Sequence, residues 1–344
     1  MTSIGYWAAQ EQYSMHDLLR FVVEAEKGGF TTTMTSDHFH PWWHDNAYGN
    51  FTWIWIAAAA ERTKNMQFVT GVTAPVYRYH PAIIAQAFAS LDVLYPGRTG
   101  LGLGSGEAMN ESPLGFDWPR AKARLTRTKE AIQIIKELWN KGKDDEGFVN
   151  FNGEYFLIRN AKLYTPPSTR IPIYLAASGE QTTKVAAKYS DGLITYLSPA
   201  KANEVLHLFD STAEKEGKDI ESLEKIAEYK VSFSEDYDEA FKSASFWRAT
   251  LIKDVFDSDI SDPRRLQRKA EKEVPDEKLE QAIQITTSIE DCIKPIEEYF
   301  KTGFTRVYVH STSPDEIKFI KMFSKKVTPH FNVGSRGRRM AASA

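Results

Sequence analysis

The chain carries a single cysteine, Cys292, in 344 residues. One thiol excludes an internal disulfide and any cysteine-built metal cage, and it fits a reducing cytoplasm. Long apolar runs are missing too. The longest, at residues 53–60, falls far short of the roughly 20 residues a helix needs to cross a bilayer, so no membrane partner is expected. Residues 4–9 are too short and too polar for the core of a signal peptide. Nor is there a surplus of positive charge: 43 Lys and Arg stand against 46 Asp and Glu, which leaves no electrostatic footprint for nucleic acid. Phosphate-loop and dinucleotide fingerprints are also absent. No G-K-S/T follows a glycine-rich turn, and Gly102, Gly104 and Gly106 lack the G-x-G-x-x-G spacing.

What is present is alternation. Short apolar runs at residues 4–8, 31–35, 67–72, 99–104, 173–176, 192–196, 227–233 and 306–309 read as strands. Helical spacing fills the intervals at 14–27, 52–61, 81–94, 120–139, 181–189, 200–216 and 289–302, with Ser14 as a cap and Gly28-Gly29 as a stop. Eight such units predict an α/β fold, a closed (β/α)8 TIM barrel, spanning residues 1–330 as one domain. Two insertions interrupt the rhythm. Residues 145–160 predict a hairpin turning at Asn152-Gly153, and residues 236–285, charged and mostly helical, follow the seventh strand. The basic tail at 331–344 is expected to be disordered.

Ligands of α/β barrels bind at the C-terminal ends of the strands. There the sequence places Asp37-His38, after the second strand, and Glu107 with Asn110, after the fourth. A histidine titrates near neutral pH and a carboxylate can be tuned to meet it, so the pair suggests proton-coupled chemistry. By itself His38 is more often a hydrogen-bonded structural residue, and Glu107 a cap for backbone amides. Trp42 and Trp43 offer rings that exclude water, and Glu11 stands on the same rim after the first strand. His40 and His44 raise a metal site, but their spacing with Asp37 matches no ligand pattern, and no metal is expected. Ser178-Gly179, at a helix start, offers free amides to an anion or forms an ordinary turn. Phe246-Trp247 reads as core.

Taken together, Ser36-Asp37-His38-Phe39-His40-Pro41-Trp42, Arg78-Tyr79-His80-Pro81-Ala82, Ala85-Gln86-Ala87-Phe88-Ala89, Tyr95-Pro96-Gly97-Arg98 and Gly106-Glu107-Ala108-Met109-Asn110-Glu111 resemble the luciferase-like oxidoreductases, specifically their coenzyme F420-dependent dehydrogenase branch. The resemblance covers residues 4–323. It implies a barrel, commonly homodimeric, that takes the deazaflavin coenzyme F420 and acts on a small-molecule alcohol or sugar. It implies that Asp37, Gly71, Val72, Ala74, Ser105, Gly106, Asn110, Ser178 and Gly179 bind the coenzyme, with a non-prolyl cis bond at Gly71-Val72. His38, Glu107, Trp42 and Glu11 would surround the reacting carbon, with neutral His38 accepting the hydroxyl proton. Lys230, Tyr196 and Trp247 would bind substrate.

Within this branch the substrate is divided. Glucose-6-phosphate enzymes hold the phosphate with two lysines and an arginine. The matching places here hold Pro199, Asp257 and, approximately, Ala282, and only shifted loops would let Lys201, Lys253 or Arg264 stand in. Lys230 resembles the sugar-phosphate enzymes, whereas His44-Asp45-Asn46-Ala47 and residues 246–256 resemble the secondary alcohol enzyme. The reading is therefore a dehydrogenase of a secondary alcohol or non-phosphorylated sugar-like hydroxyl. A glucose-6-phosphate dehydrogenase, an FMN-dependent monooxygenase and a non-catalytic flavin-binding protein stand as alternatives.

Overall fold

A computed structural model describes residues 2–141, 146–256 and 258–331. The strands are β1 Ser3–Ala8, β2 Thr32–Thr35, β3 Gln67–Thr70, β4 Thr99–Leu103, β5 Val149–Asn152, β6 Leu157–Ala161, β7 Ile173–Ala176, β8 Gly192–Thr195, β9 Glu224–Phe233, β10 Gln284–Thr286 and β11 Arg306–Ser311. Eight of them close into a parallel barrel in the order β11-β1-β2-β3-β4-β7-β8-β9, with β9 pairing back onto β11. This is the expected (β/α)8 barrel. The seventh strand starts three residues earlier than its apolar run, at Glu224, because its first residues pair with Gly192–Thr195. The helix Glu316–Lys326, which the periodicity left unassigned, packs after β11.

Strand alternation sorts the side chains. On β1, Tyr6 and Ala8 face the helices while Trp7 faces the barrel interior, and on β11 Val307 and Val309 face out while Tyr308 faces in. Helices pack the outer layer through stripes such as Leu18, Leu19, Val22 and Ala25 of the helix Met15–Lys27, which Ser14 caps by accepting from the Asp17 amide at 3.2 Å.

Both insertions have a structural reason. The hairpin β5–β6 is antiparallel and turns where Glu130 accepts the amides of Glu154, Tyr155 and Phe156 at 2.7–3.1 Å. The second insertion is mostly helical as expected, but it ends in β10, which pairs with Val231–Phe233 beyond the point where β8 leaves that edge of β9. Its apolar residues, among them Trp247, Ile252, Val255 and Leu279, merge with the barrel interior. The insertion therefore roofs the mouth. His40 and His44 serve this roof: His40 Nδ1 lies 3.0 Å from the Ser261 carbonyl oxygen, and the His44 amide donates to Gln267 at 3.1 Å. Among the described residues no three His, Cys, Asp or Glu side chains gather as a metal set, and no helix is long and apolar enough to cross a membrane. Residues 332–344 of the basic tail lie outside the described residues.

Past the end of β11, Glu316 is buried, with its carboxyl receiving Ser311 Oγ at 2.6 Å. Burial pushes this carboxyl up to about 8, against the pull of the Ser311, Tyr6 and Tyr13 hydroxyls. The native state thus holds the neutral acid, whereas the unfolded chain ionises near 4.5. The resulting stability is complete below the unfolded value and is lost as pH rises through about 8. Glu316→Gln keeps the shape and cannot ionise. Urea unfolding at pH 5 and pH 8 should show the wild type losing ~2–4 kcal/mol more than the variant over that interval. Equal losses would mean that the native state tolerates the carboxylate.

Candidate active site

Because all barrel strands run parallel, their C-terminal ends share one rim, and a cavity of about 900 Å³ opens there beneath the insertion. That size suits a cofactor-scale ligand. Strand order divides the lining into two arcs. The neighbours β3, β4 and β7 supply small residues: Gly71, Val72, Gly104, Ser105, Gly106, Ala176, Ala177 and Ser178. Across from them, β9, β1 and β2 supply Glu228, Lys230, Trp7, Glu11, Ser36, His38 and Trp42.

The glycines of the small arc cannot carry side chains. A Cβ on Gly104 would overlap Val72, one on Gly71 would run into Met34 and Trp7, and Gly106 sits at φ +77°, which favours glycine. The Gly71–Val72 peptide is cis, where the resemblance implied it. Glycine backbone and small side chains therefore face the cavity, a cradle that fits the flat ring of a deazaflavin. Thr182, in the first turn of the helix Glu180–Tyr189, extends this wall next to Ser178.

The polar arc holds the acid–base groups. His38 Nδ1 contacts Glu11 Oε1, and Ser36 Oγ donates to the other Glu11 oxygen at 2.6 Å. Glu11 is 1% exposed. Burial alone would raise its carboxyl, but His38 and Ser36 outweigh that and hold it below the usual range. For His38, burial pulls the imidazole down, and the carboxylates of Glu11 and Glu107 push it up by more, so the net shift is upward. The Trp42 ring stands edge-on to His38 at 5.9 Å, and Phe256 and Tyr196 continue the aromatic wall outward at 5.5 Å spacings. Glu107 precedes the short helix Ala108–Glu111 but makes no side-chain cap, which removes the capping reading. Its carboxylate receives Asn110 Nδ2 at 3.0 Å and faces the cavity.

Four residues expected to touch the coenzyme do not line the cavity. The Asp37 carboxylate is taken up by Thr73 Oγ1 at 2.6 Å and by Arg78 Nη2 and the Tyr79 hydroxyl, both at 3.2 Å. Asn110 is engaged with Glu107 and with the Phe39 amide, at 2.6 Å. Gly179 caps the helix Glu180–Tyr189, its carbonyl accepting the Thr182 and Thr183 hydroxyls at 2.9 Å. Ala74 lies behind Gly106. Lys230, Tyr196 and Trp247 do line the cavity, as do the uncharged Pro199 and Ala282. Lys201 lines it as well, whereas Lys253 and Arg264 do not, and Arg264 is paired with Asp262 at 2.9 Å. Asp257 lies outside the described residues.

Sequence reasoning missed several groups. Glu111 is buried, its carboxylate accepts the Arg78 amide at 2.7 Å, and burial, with Glu107 adding, pushes it up to about 7 despite Arg78. Glu228 and His310 were also missed. The alternation Glu228-x-Lys230 was a local signal, but only the register that sets His310 beside Lys230 brings the histidine in. Arg124 and Lys278 reach the cavity from helices, with no local pattern to mark them.

This architecture has known counterparts. The family model for luciferase-like monooxygenase matches residues 1–306. An F420-dependent glucose-6-phosphate dehydrogenase of Microbacterium testaceum (strain StLB037) is 35% identical over 328 residues, covering 94% of this chain and 96% of its own length. A solved F420-dependent secondary alcohol dehydrogenase, in complex with an F420-acetone adduct, superposes with a TM-score of 0.90 at 36% identity, covering 95% of this chain and 98% of that one. The coenzyme F420-dependent tetrahydromethanopterin reductase of Methanopyrus kandleri shares the fold, with a TM-score of 0.73 at 20% identity over 96% of this chain and 99% of that one. With its barrel and nearly its whole length matched in this way, the chain belongs to the luciferase-like monooxygenase family.

Proposed function

We propose that this chain is a coenzyme F420-dependent dehydrogenase acting on the hydroxyl of a secondary alcohol or sugar-like compound. One observation carries the reading: the largely buried His38–Glu11 pair faces a cradle of glycines and small side chains across a single cavity. When bound, the deazaflavin supplies a carbon-centred hydride acceptor whose reduced form reacts slowly with oxygen, which makes a dehydrogenase rather than an oxygenase. Gly71, Val72, Ser105, Gly106 and Ser178 would hold its ring and polar substituents, with Asp37, Ala74, Asn110 and Gly179 fixing the wall behind them. Neutral His38 takes the substrate hydroxyl proton. Glu11 orients the imidazole and stabilises the cation that forms, as an acid partner does for a general base. Glu107 adds a second negative charge beside it, and Trp42 keeps water away. Full-length relatives named as F420-dependent dehydrogenases of a sugar phosphate and of a secondary alcohol support the same class.

Titration with oxidised F420 and, separately, with FMN tests the coenzyme. The expected result is saturable F420 binding and loss of deazaflavin absorbance when a hydroxyl substrate is added. FMN binding without F420 binding would move the chain to the oxygenase branch.

The protein works as a homodimer in this reading. Phe51, at the N-cap of the helix Thr52–Arg62, is exposed beside Ile54 of that helix and Ile83 of the helix Pro81–Leu94, and the two helices adjoin through Trp53 and Phe88. A second copy would cover these side chains. A cytoplasmic setting fits the lone cysteine, whose buried thiol is pushed up to about 12 and is therefore unreactive.

A further inference from the structure

The floor of the cavity carries an ion pair that the proton chemistry does not use. Glu228 and Lys230 stand two residues apart on β9, so both face inward, and Lys230 Nζ lies 2.8 Å from Glu228 Oε2. The other Glu228 oxygen meets His310 Nδ1 at 2.6 Å. His310 is clamped between rings: Trp7 stacks on it at 5.1 Å, and Trp247 meets it edge-on at 4.4 Å. Trp247 is in turn fixed by donating to Gln12 at 2.9 Å, and its ring lies 5.7 Å from Lys230 Nζ. The pair is thus held rigidly from three sides. Its side chains keep 11% and 18% exposure, on the side where both line the cavity.

Hydrogen-bonding capacity is left over. An ammonium has three donors, and Lys230 directs one at Glu228; an ionised carboxylate has about four acceptor positions, and Glu228 fills two. Burial opposes charge on Glu228, but Lys230 and His310 outweigh it and hold the carboxyl down to about 2, so it remains an acceptor at every working pH. A substrate with one hydroxyl and short alkyl arms leaves these donors and acceptors unmet in a desolvated site, which is costly. An anionic group against the floor meets the Glu228 charge. A neutral molecule with several hydroxyls satisfies both partners, since each hydroxyl donates and accepts.

Resting on the F420-dehydrogenase reading above, we propose that Glu228 and Lys230 form a polyol-reading pair, and that the substrate is an uncharged polyhydroxy compound bearing hydroxyls beyond the one oxidised. The pair decides specificity without taking part in proton or hydride transfer.

The test compares kcat/KM for 2-propanol, for neutral sugars and polyols (glucose, xylitol, myo-inositol) and for glucose 6-phosphate, with F420 as acceptor, in the wild type and in Glu228→Gln and Lys230→Met. The expected wild-type preference is at least ~10-fold for the best neutral polyol over 2-propanol. Each variant should cut that ratio by ~10- to 100-fold, chiefly through KM for the polyol. A preference for 2-propanol, or for the phosphate ester, overturns the proposal. So does a ratio unchanged in both variants. The wild-type preference needs no variant to fold. Loss of F420 binding in the wild type would sink the coenzyme reading itself, and is seen separately by titration before any substrate is added.

Discussion

His38→Ala lowers kcat by about 100- to 10,000-fold and leaves the F420 dissociation constant nearly unchanged, the expected range for removing a positioned general base. The split follows from where the side chain sits. His38 lies on the polar arc against Glu11, away from the small-residue cradle, so the coenzyme loses little when the imidazole goes. The reacting proton, however, loses its acceptor. The pH profile carries a second signature. Because Glu11 and Glu107 raise the imidazole above its ordinary value despite burial, the neutral base becomes available only as pH rises through that higher value. The rising limb of kcat should therefore lie above pH 6.5 and move down in Glu11→Gln, which removes the largest upward influence. Turnover within a few-fold of wild type in His38→Ala would remove this residue from the chemistry.

Asp37→Ala is the second large effect, and it reads out as stability. Asp37 is 2% exposed, and its carboxylate gathers the Thr73 hydroxyl, the Tyr79 hydroxyl and the Arg78 guanidinium from the segment after β3. Truncation leaves a largely buried guanidinium and two hydroxyls without that acceptor, a loss of about 3–5 kcal/mol. Denaturant unfolding of the variant should show this loss, and F420 affinity should fall only as far as the cradle loosens. If affinity collapses while the unfolding midpoint stays put, Asp37 contacts the coenzyme directly rather than holding the wall.

These two variants mark different depths of legibility in the chain. Asp37 and His38 are adjacent, follow the same strand and belong to the same motif, yet Asp37 is spent on Thr73, Arg78 and Tyr79 while His38 lines the cavity. His38 reaches the cavity, and Asp37 reaches into the protein behind it. A motif states which residues are near a site, whereas the turn after the strand decides which of them face it. The same limit explains Asn110 and Gly179, whose polar groups serve the loop itself. Glu107 went the other way. Its position before a helix suggested a cap, but the helix Ala108–Glu111 is a single turn, and the carboxylate points to the cavity instead.

Local information was enough for the barrel. Strand and helix periods, the stop at Gly28-Gly29 and the Asn152-Gly153 turn depend on contacts within a few residues, so alternation in the sequence determined eight β/α units and the rim that carries His38, Glu107 and Glu11. It equally determined the close backbone approach at Gly104 and Gly106, since glycine is what such an approach demands. What only the tertiary structure decided is the company those residues keep. Glu228, Lys230 and His310 form one network because β9 and β11 pair in one particular register, and Trp247 joins it because the insertion folds back over the mouth. One of these contacts, from Gln12 to Trp247, spans 235 residues of chain, and no local preference encodes them. They follow from closing the sheet and burying the apolar face of the insertion, which are properties of the whole fold.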